Sequence, residues 1–303
     1  MPNATIFNAP REPWLRRMTS LVGAIHRRTY SPALMDDDSL PGAFSGPPPR
    51  PISPATFDQA HGATAHSELI WRLAAQAYGE DYPAEVQPWG MTTFWVLGRC
   101  VSGLRVGPGH QLVDLACGRG GPGLWLARAT GADLIGIDWS PVGVEAASAR
   151  ASHFVQADRA RFMVGDLAAS GLPDESADAV LCLDSIFFAA DRIEALREVH
   201  RLLRPAGRYV FTAPEVKTPA QPFHVPDWTP LLEAAGLQLE NKEVVPHQAE
   251  QLGRMYQLWL EHLDAIRAEV GRAAAARLEA EARRVGPMLK NRKPLLIVAR
   301  RPG

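Results

Sequence analysis

Apolar positions along the chain change their spacing twice, and each change marks a different kind of structure. Near the start, Trp14, Leu15, Met18, Leu21, Val22 and Ile25 recur at helical spacing beside Arg16, Arg17, Arg27 and Arg28, which predicts a short amphipathic helix. A stretch with Pro41, Pro47, Pro48, Pro49, Pro51 and Pro54, together with Gly42 and Gly46, then reads as a linker or extended arm. Two further helices are predicted over 66–78 and 91–101. From Gln111 the pattern becomes short apolar runs alternating with helical segments, the mark of βα units and a parallel sheet. Strands are expected at 111–115, 133–137, 161–164, 179–183 and 208–212, with helices at about 122–129, 141–152 and 192–203. Asp191 and Asp227 stand where each can cap a helix, and Gly236 where it can end one. Strands at 237–245 and 294–300 close the pattern. Between those two, the helix-favouring segments 252–270 and 272–285 exceed what a connection requires and read as a lid or interface.

The chemistry gathers after the first strand, in Asp114-Leu115-Ala116-Cys117-Gly118-Arg119-Gly120-Gly121-Pro122-Gly123. Glycines at 118, 120 and 123 let the backbone turn tightly and approach a ligand, while the next helix offers free N–H groups. These glycines also spell G-x-G-x-x-G, the dinucleotide pattern, which alone is weak. Asp114 separates the two readings: a carboxylate at the strand end repels a pyrophosphate and attracts a cationic amine. That favours S-adenosylmethionine over NAD. Asp138 closes the second strand twenty residues beyond Gly118, a spacing shared by both cofactor families.

The segment resembles the class I S-adenosylmethionine-dependent methyltransferases of small-molecule type, whose first motif is an acidic residue followed by G-x-G-x-G. Ala116 departs from the pattern, standing where that family commonly has its first glycine. The resemblance implies that Asp114, Ala116, Gly118, Gly120 and Gly123 cradle the cofactor. It also implies that Asp138 accepts the ribose hydroxyls and that Trp139 lies against adenine. Asp166 is then expected near the adenine amino group, Leu167 near its ring, and Asp184 by the methionine part or the acceptor. Leu172-Pro173-Asp174 leads into the fourth strand as in the family, and 195–208 is similar to its helix, turn and fifth strand. The Asn/Asp-Pro-Pro-aromatic motif of adenine and glutamine methylation is absent after the fourth strand, where Asp184-Ser185-Ile186-Phe187-Phe188 stands.

Composition narrows the partners. A net charge of -1, from 32 basic and 33 acidic residues, lacks the basic surplus that a phosphate backbone demands, so nucleic acid is not expected. Cys100, Cys117 and Cys182 are odd in number and widely spaced, which indicates neither a disulfide framework nor a metal site. Reduced thiols, no apolar run of about 18 residues and early prolines point to the cytoplasm rather than a membrane. For a base the candidates are Glu215 and His247, each just past a strand, and His224 in a Pro-flanked loop; in-line displacement on a sulfonium leaves a base optional.

The expected architecture is α/β, a Rossmann-like seven-stranded sheet, mostly parallel with an antiparallel last strand. An N-terminal arm and Pro-rich linker would occupy 1–60, and a methyltransferase domain 61–303 with a helical lid at about 250–286. Either the arm or the lid could join two copies in a homodimer. The expected activity is methyl transfer to a small organic acceptor, a secondary metabolite. Two alternatives stay open: an NAD(P)-dependent oxidoreductase, and a non-methylating cyclase or rearrangement enzyme that keeps the cofactor as scaffold.

Overall fold

All seven strands read from the sequence form: β1 Gln111–Leu115, β2 Asp133–Asp138, β3 Ala160–Val164, β4 Ala177–Cys182, β5 Leu203–Val216, β6 Gln238–Val244 and β7 Arg292–Arg300. They belong to a computed structural model in which residues 53–156, 158–218 and 224–303 are described. The amphipathic helix read over 14–25 and the proline-rich stretch before Pro54 lie outside these residues, apart from Ser53. The strands make one sheet in the order β3-β2-β1-β4-β5-β7-β6. β7 runs antiparallel to both β5 and β6, and the other neighbours are parallel. The strand order reverses between β1 and β4, which is where open α/β sheets offer a crevice at their carboxyl ends.

β5 is far longer than the 208–212 expected, because β7 pairs with it continuously from Arg208 to Val216. Glu215 consequently lies inside the strand rather than beyond it.

The helices are α1 Pro54–Thr64, α2 Glu68–Tyr78, α3 Phe94–Leu104, α4 Gly121–Thr130, α5 Pro141–Arg150, α6 Arg192–Leu202, α7 Thr229–Ala234, α8 Gln248–Glu261, α9 Leu263–Val270 and α10 Arg272–Val285. Their starts follow from capping: Ser67, Thr93 and Ser140 each accept a backbone N–H from the first turn of α2, α3 and α5. Asp191 accepts from Ile193 and Glu194 and opens α6, and Asp227 accepts the N–H and hydroxyl of Thr229 at α7. The segment 252–270 is two helices rather than one, broken at His262. α1 was not read from the sequence at all. Ser53 followed by Pro54 is a helix start, with proline in the first turn where a missing N–H costs nothing.

Side chains alternate across the sheet with period two. Val113, Ile135, Val180 and Phe211 face α6 and α7, whereas Leu112, Leu134, Leu181 and Val210 face α3 and α4. Phe211 stacks on Tyr209 at 4.6 Å and meets Trp228 edge-on at 5.4 Å. Trp228 Nε1 donates to Pro214 O at 3.1 Å, which locks α7 against β5. A third apolar cluster joins α2, α8, α9 and α10 through Leu69, Ile70, Leu73, Met255, Trp259, Ile266 and Leu278. None of the described helices is long and apolar enough to cross a membrane.

Candidate functional site

β1 ends on Asp114, and the chain then turns through Ala116 (φ +58°), Gly118 (+52°) and Gly120 (+73°) before α4 begins. An L side chain costs about 1–2 kcal/mol in this left-handed region, so Ala116 carries strain that glycine avoids. Gly123 is dictated by contact instead: a Cβ there would come within 2.4 Å of Asp114 Oδ2. Its absence brings the first turn of α4 onto the carboxylate, which accepts the Gly123 N–H. Asp114 is buried, and burial, reinforced by the Asp138 charge, pushes its pKa up to about 8. Cys117 packs beneath the loop against Gly136, and burial drives its thiol well above the ordinary range, the state of a packer rather than a nucleophile.

At the end of β2, buried Asp138 accepts the Gly118 N–H at 2.7 Å and the Ser140 N–H at 2.8 Å. Burial raises its pKa despite those bonds. Trp139 beside it faces Phe57 of α1, ring centroids 5.5 Å apart, and Phe57 meets Phe188 edge-on at 5.7 Å. α1 is tied down by Asp58, which accepts the Ser140 hydroxyl at 2.5 Å. One helical turn on, His61 lies over the loop, its Cε1 3.2 Å from where a Gly118 Cβ would stand. His61 is buried and its Nδ1 has no hydrogen-bond partner. Burial first, then the Arg119 charge, lower its pKa to about 4, with Asp58 opposing. Phe57 and His61, four residues apart on one helix face, were missed by the sequence reading; the Ser-Pro start was the available signal.

Asp166 and Leu167 follow β3, next to the end of β2. Asp166 accepts the Ala168 N–H at 2.8 Å, and Leu167 packs on the core. Asp184, at φ +52° after β4, accepts the Met91 N–H and the Thr212 hydroxyl, both at 2.8 Å. It fastens the Trp89-Gly90-Met91 loop to the sheet. Arg119, inside the glycine loop yet buried, lays its guanidinium 4.5 Å from the Trp71 ring and donates to Ala65 O and Gln87 O. Burial lowers its pKa to about 10. It clamps α2 and the 87–91 loop over the turn.

The three candidate bases are not brought together by any hydrogen bond or ion pair. Glu215 is buried and accepts Lys242 Nζ at 2.7 Å, and that lysine also binds Asp227 at 2.9 Å. His247 is exposed at the N-terminus of α8, 3.5 Å from Glu250. His224 is half-buried, and its Nδ1 has no hydrogen-bond partner.

The donor set fits S-adenosylmethionine. Two buried acids with raised pKa values suit a ligand bringing an ammonium group and hydroxyl donors, and the Phe57, Trp139 and Phe188 rings suit a base.

Residues 113–211 match a family model described as a methyltransferase domain. The chain is 31% identical over 182 residues to aklanonic acid methyltransferase DauC of Streptomyces sp. strain C5, covering 59% of this chain and 80% of DauC. It is 32% identical over 168 residues to methyltransferase GfsG of Streptomyces halstedii, covering 50% of this chain and 60% of GfsG, so it spans about three fifths of that relative. Among solved structures the [4+2]-cyclase SpnF superposes with a TM-score of 0.66 at 22% identity, over 86% of this chain and 99% of SpnF. That likeness speaks for the fold alone. The match to DauC decides against the oxidoreductase alternative, and the glycine loop, the acids ending β1 and β2 and this relationship together place the chain in the class I S-adenosylmethionine-dependent methyltransferase family.

Proposed function

We propose that the protein methylates a small organic acceptor, a secondary metabolite, in the cytoplasm. The observation that carries this reading is the pair of buried carboxylates, Asp114 and Asp138, at the ends of adjacent strands β1 and β2 beneath a glycine turn. Asp114 with the loop residues Ala116, Gly118, Gly120 and Gly123 would hold the amino-acid end of the cofactor. Asp138 would take the ribose hydroxyls, Trp139 the face of adenine, and Asp166 with Leu167 its edge. Asp184 would border the methionine side through the 89–91 loop that it anchors.

When bound, S-adenosylmethionine supplies an electrophilic methyl group on a sulfonium. The work left to the protein is alignment and exclusion of water, which can supply most of the rate of an in-line displacement. α1 covers the loop from one side, and the helices at about 250–286 would close over the acceptor. The proposed methyltransferase domain takes in α1 from Pro54, ahead of the start expected at 61, and a homodimer through the arm or lid rests on the same reading. Of the candidate bases, Glu215 is committed to Lys242 and His247 faces solvent, so His224, with a ring nitrogen unengaged, suits proton removal best.

The test is a time course of S-adenosylhomocysteine release with fractionated extracts of candidate acceptors. Release that depends on both extract and protein supports methylation. Cofactor binding without release, alongside conversion of an acceptor, points to the non-methylating alternative.

A further inference from the structure

Residues 85–91 form a strap that is fastened to the glycine turn at one end and to the end of β4 at the other. Arg150, the last residue of α5, donates through Nη2 to Glu85 O at 3.0 Å and to Val86 O at 2.9 Å, and through Nη1 to Arg119 O at 3.1 Å. One guanidinium therefore joins two strap carbonyls to the middle of the turn. Arg119 Nη2 donates to the next carbonyl, Gln87 O, at 3.2 Å, and Arg128 of α4 holds the Glu85 side chain at 2.6 Å. At the far end Asp184 accepts the Met91 N–H at 2.8 Å.

The first residue of α4 is fitted to the same strap. A Cβ on Gly121 would come within 2.1 Å of Val86 O and 3.0 Å of the Val86 side chain, which is fully buried there. A backbone carbonyl cannot swing aside as a flexible side chain can, so only glycine lets the start of the helix press on the strap. Between Asp81 and Phe94 the chain has neither helix nor strand, so these contacts set its position. Both anchors belong to one end of the proposed cofactor site: the glycine turn holds the amino-acid group and Asp184 borders the methionine side. The adenosine half is assigned elsewhere, to Asp138, Trp139, Asp166 and Leu167 at and just past the ends of β2 and β3.

We propose that Arg150 is a positioning residue for the amino-acid end of the cofactor, holding the strap and the glycine turn in one arrangement so that the site selects the intact cofactor over its adenosine half. This rests on the methyltransferase reading above. Removing the guanidinium frees Glu85 O, Val86 O and Arg119 O at once, and the strap can then part from the turn while the ribose and adenine contacts persist.

The test titrates the full chain calorimetrically with S-adenosylhomocysteine and with 5′-methylthioadenosine, which keeps the thioadenosine and lacks the amino-acid group. Arg150→Met is expected to weaken S-adenosylhomocysteine binding about tenfold, the scale of one hydrogen bond to a charged group, and to leave 5′-methylthioadenosine binding unchanged. A general loosening of the fold would weaken both. Unchanged S-adenosylhomocysteine affinity in Arg150→Met, or an equal loss for the two compounds, overturns the assignment.

Should Arg150→Met not fold, amide hydrogen exchange of the unaltered protein is the second readout. Slower exchange across 85–91 with S-adenosylhomocysteine than with 5′-methylthioadenosine supports the strap's role, and equal exchange contradicts it. Failure of the unaltered protein to bind either compound would instead overturn the methyltransferase reading, and the role of Arg150 with it.

Discussion

Gly118 donates its backbone N–H to Asp138 Oδ2 at 2.7 Å, so the turn after β1 is anchored on the acid that ends β2. The same carboxylate accepts the Ser140 N–H and holds the start of α5. Asp138 thus shapes the loop before any ligand arrives. Asp138→Ala should weaken S-adenosylmethionine binding by roughly 1–3 kcal/mol, the scale of losing hydrogen bonds to a charged group. Asp138→Asn, which keeps an acceptor oxygen, should lose less. Calorimetric titration checks both, and unchanged affinity in the alanine variant would remove Asp138 from the ribose.

Asp114 makes stability depend on pH. Its folded pKa, about 8, lies above the ordinary carboxylate value, so between about pH 4 and pH 8 the folded protein keeps a proton that the unfolded chain has released. The unfolded state therefore binds fewer protons, and Asp114 makes stability fall as pH rises through that window. Asp114→Asn should flatten the decline and exceed the parent by more than about 1 kcal/mol at pH 8. Urea unfolding at pH 5 and pH 8 measures it; parallel curves for the two proteins would count against the raised pKa.

His61 acts in the opposite direction on the acid side. With its pKa lowered to about 4, the unfolded chain takes up a proton below pH 6.5 that the folded protein refuses. Stability is then lost as pH falls from about 6.5 toward 4. His61→Gln should remove that loss. Thermal midpoints at pH 7 and pH 5 would show the difference narrowing in the variant, whereas an unchanged difference would mean that other groups govern acid unfolding.

Ala116, at φ +58°, is the one non-glycine residue among the left-handed turns of the loop. Ala116→Gly relieves the strain but frees the unfolded chain, leaving a net gain of up to about 1 kcal/mol. Cofactor affinity should hold or rise. A loss of stability in urea titration would show that the methyl group earns more by packing than it costs in strain.

Much of this was legible because the βα pattern is local. β1 matches its expected bounds, and the capping aspartates Asp191 and Asp227 do what their positions implied. The misses lie where tertiary pairing decides. β5 is lengthened by an antiparallel partner far along the chain, and that placed Glu215 inside a strand, held by Lys242, rather than at the open edge. α1 hid behind a run of prolines, and with it the packing of Phe57 and His61 over the loop. Arg119 stands between two glycines with no motif role of its own, and only the fold reveals its clamp on Trp71, Ala65 and Gln87.

The central claim, a methyltransferase-family site built on Asp114, the glycine turn and Asp138, is tested most directly by titrating the purified protein calorimetrically with S-adenosylmethionine, S-adenosylhomocysteine and NADH in parallel. Saturable binding of both sulfur compounds, with no heat from NADH, is the predicted result. Binding of NADH with none of either sulfur compound would contradict it.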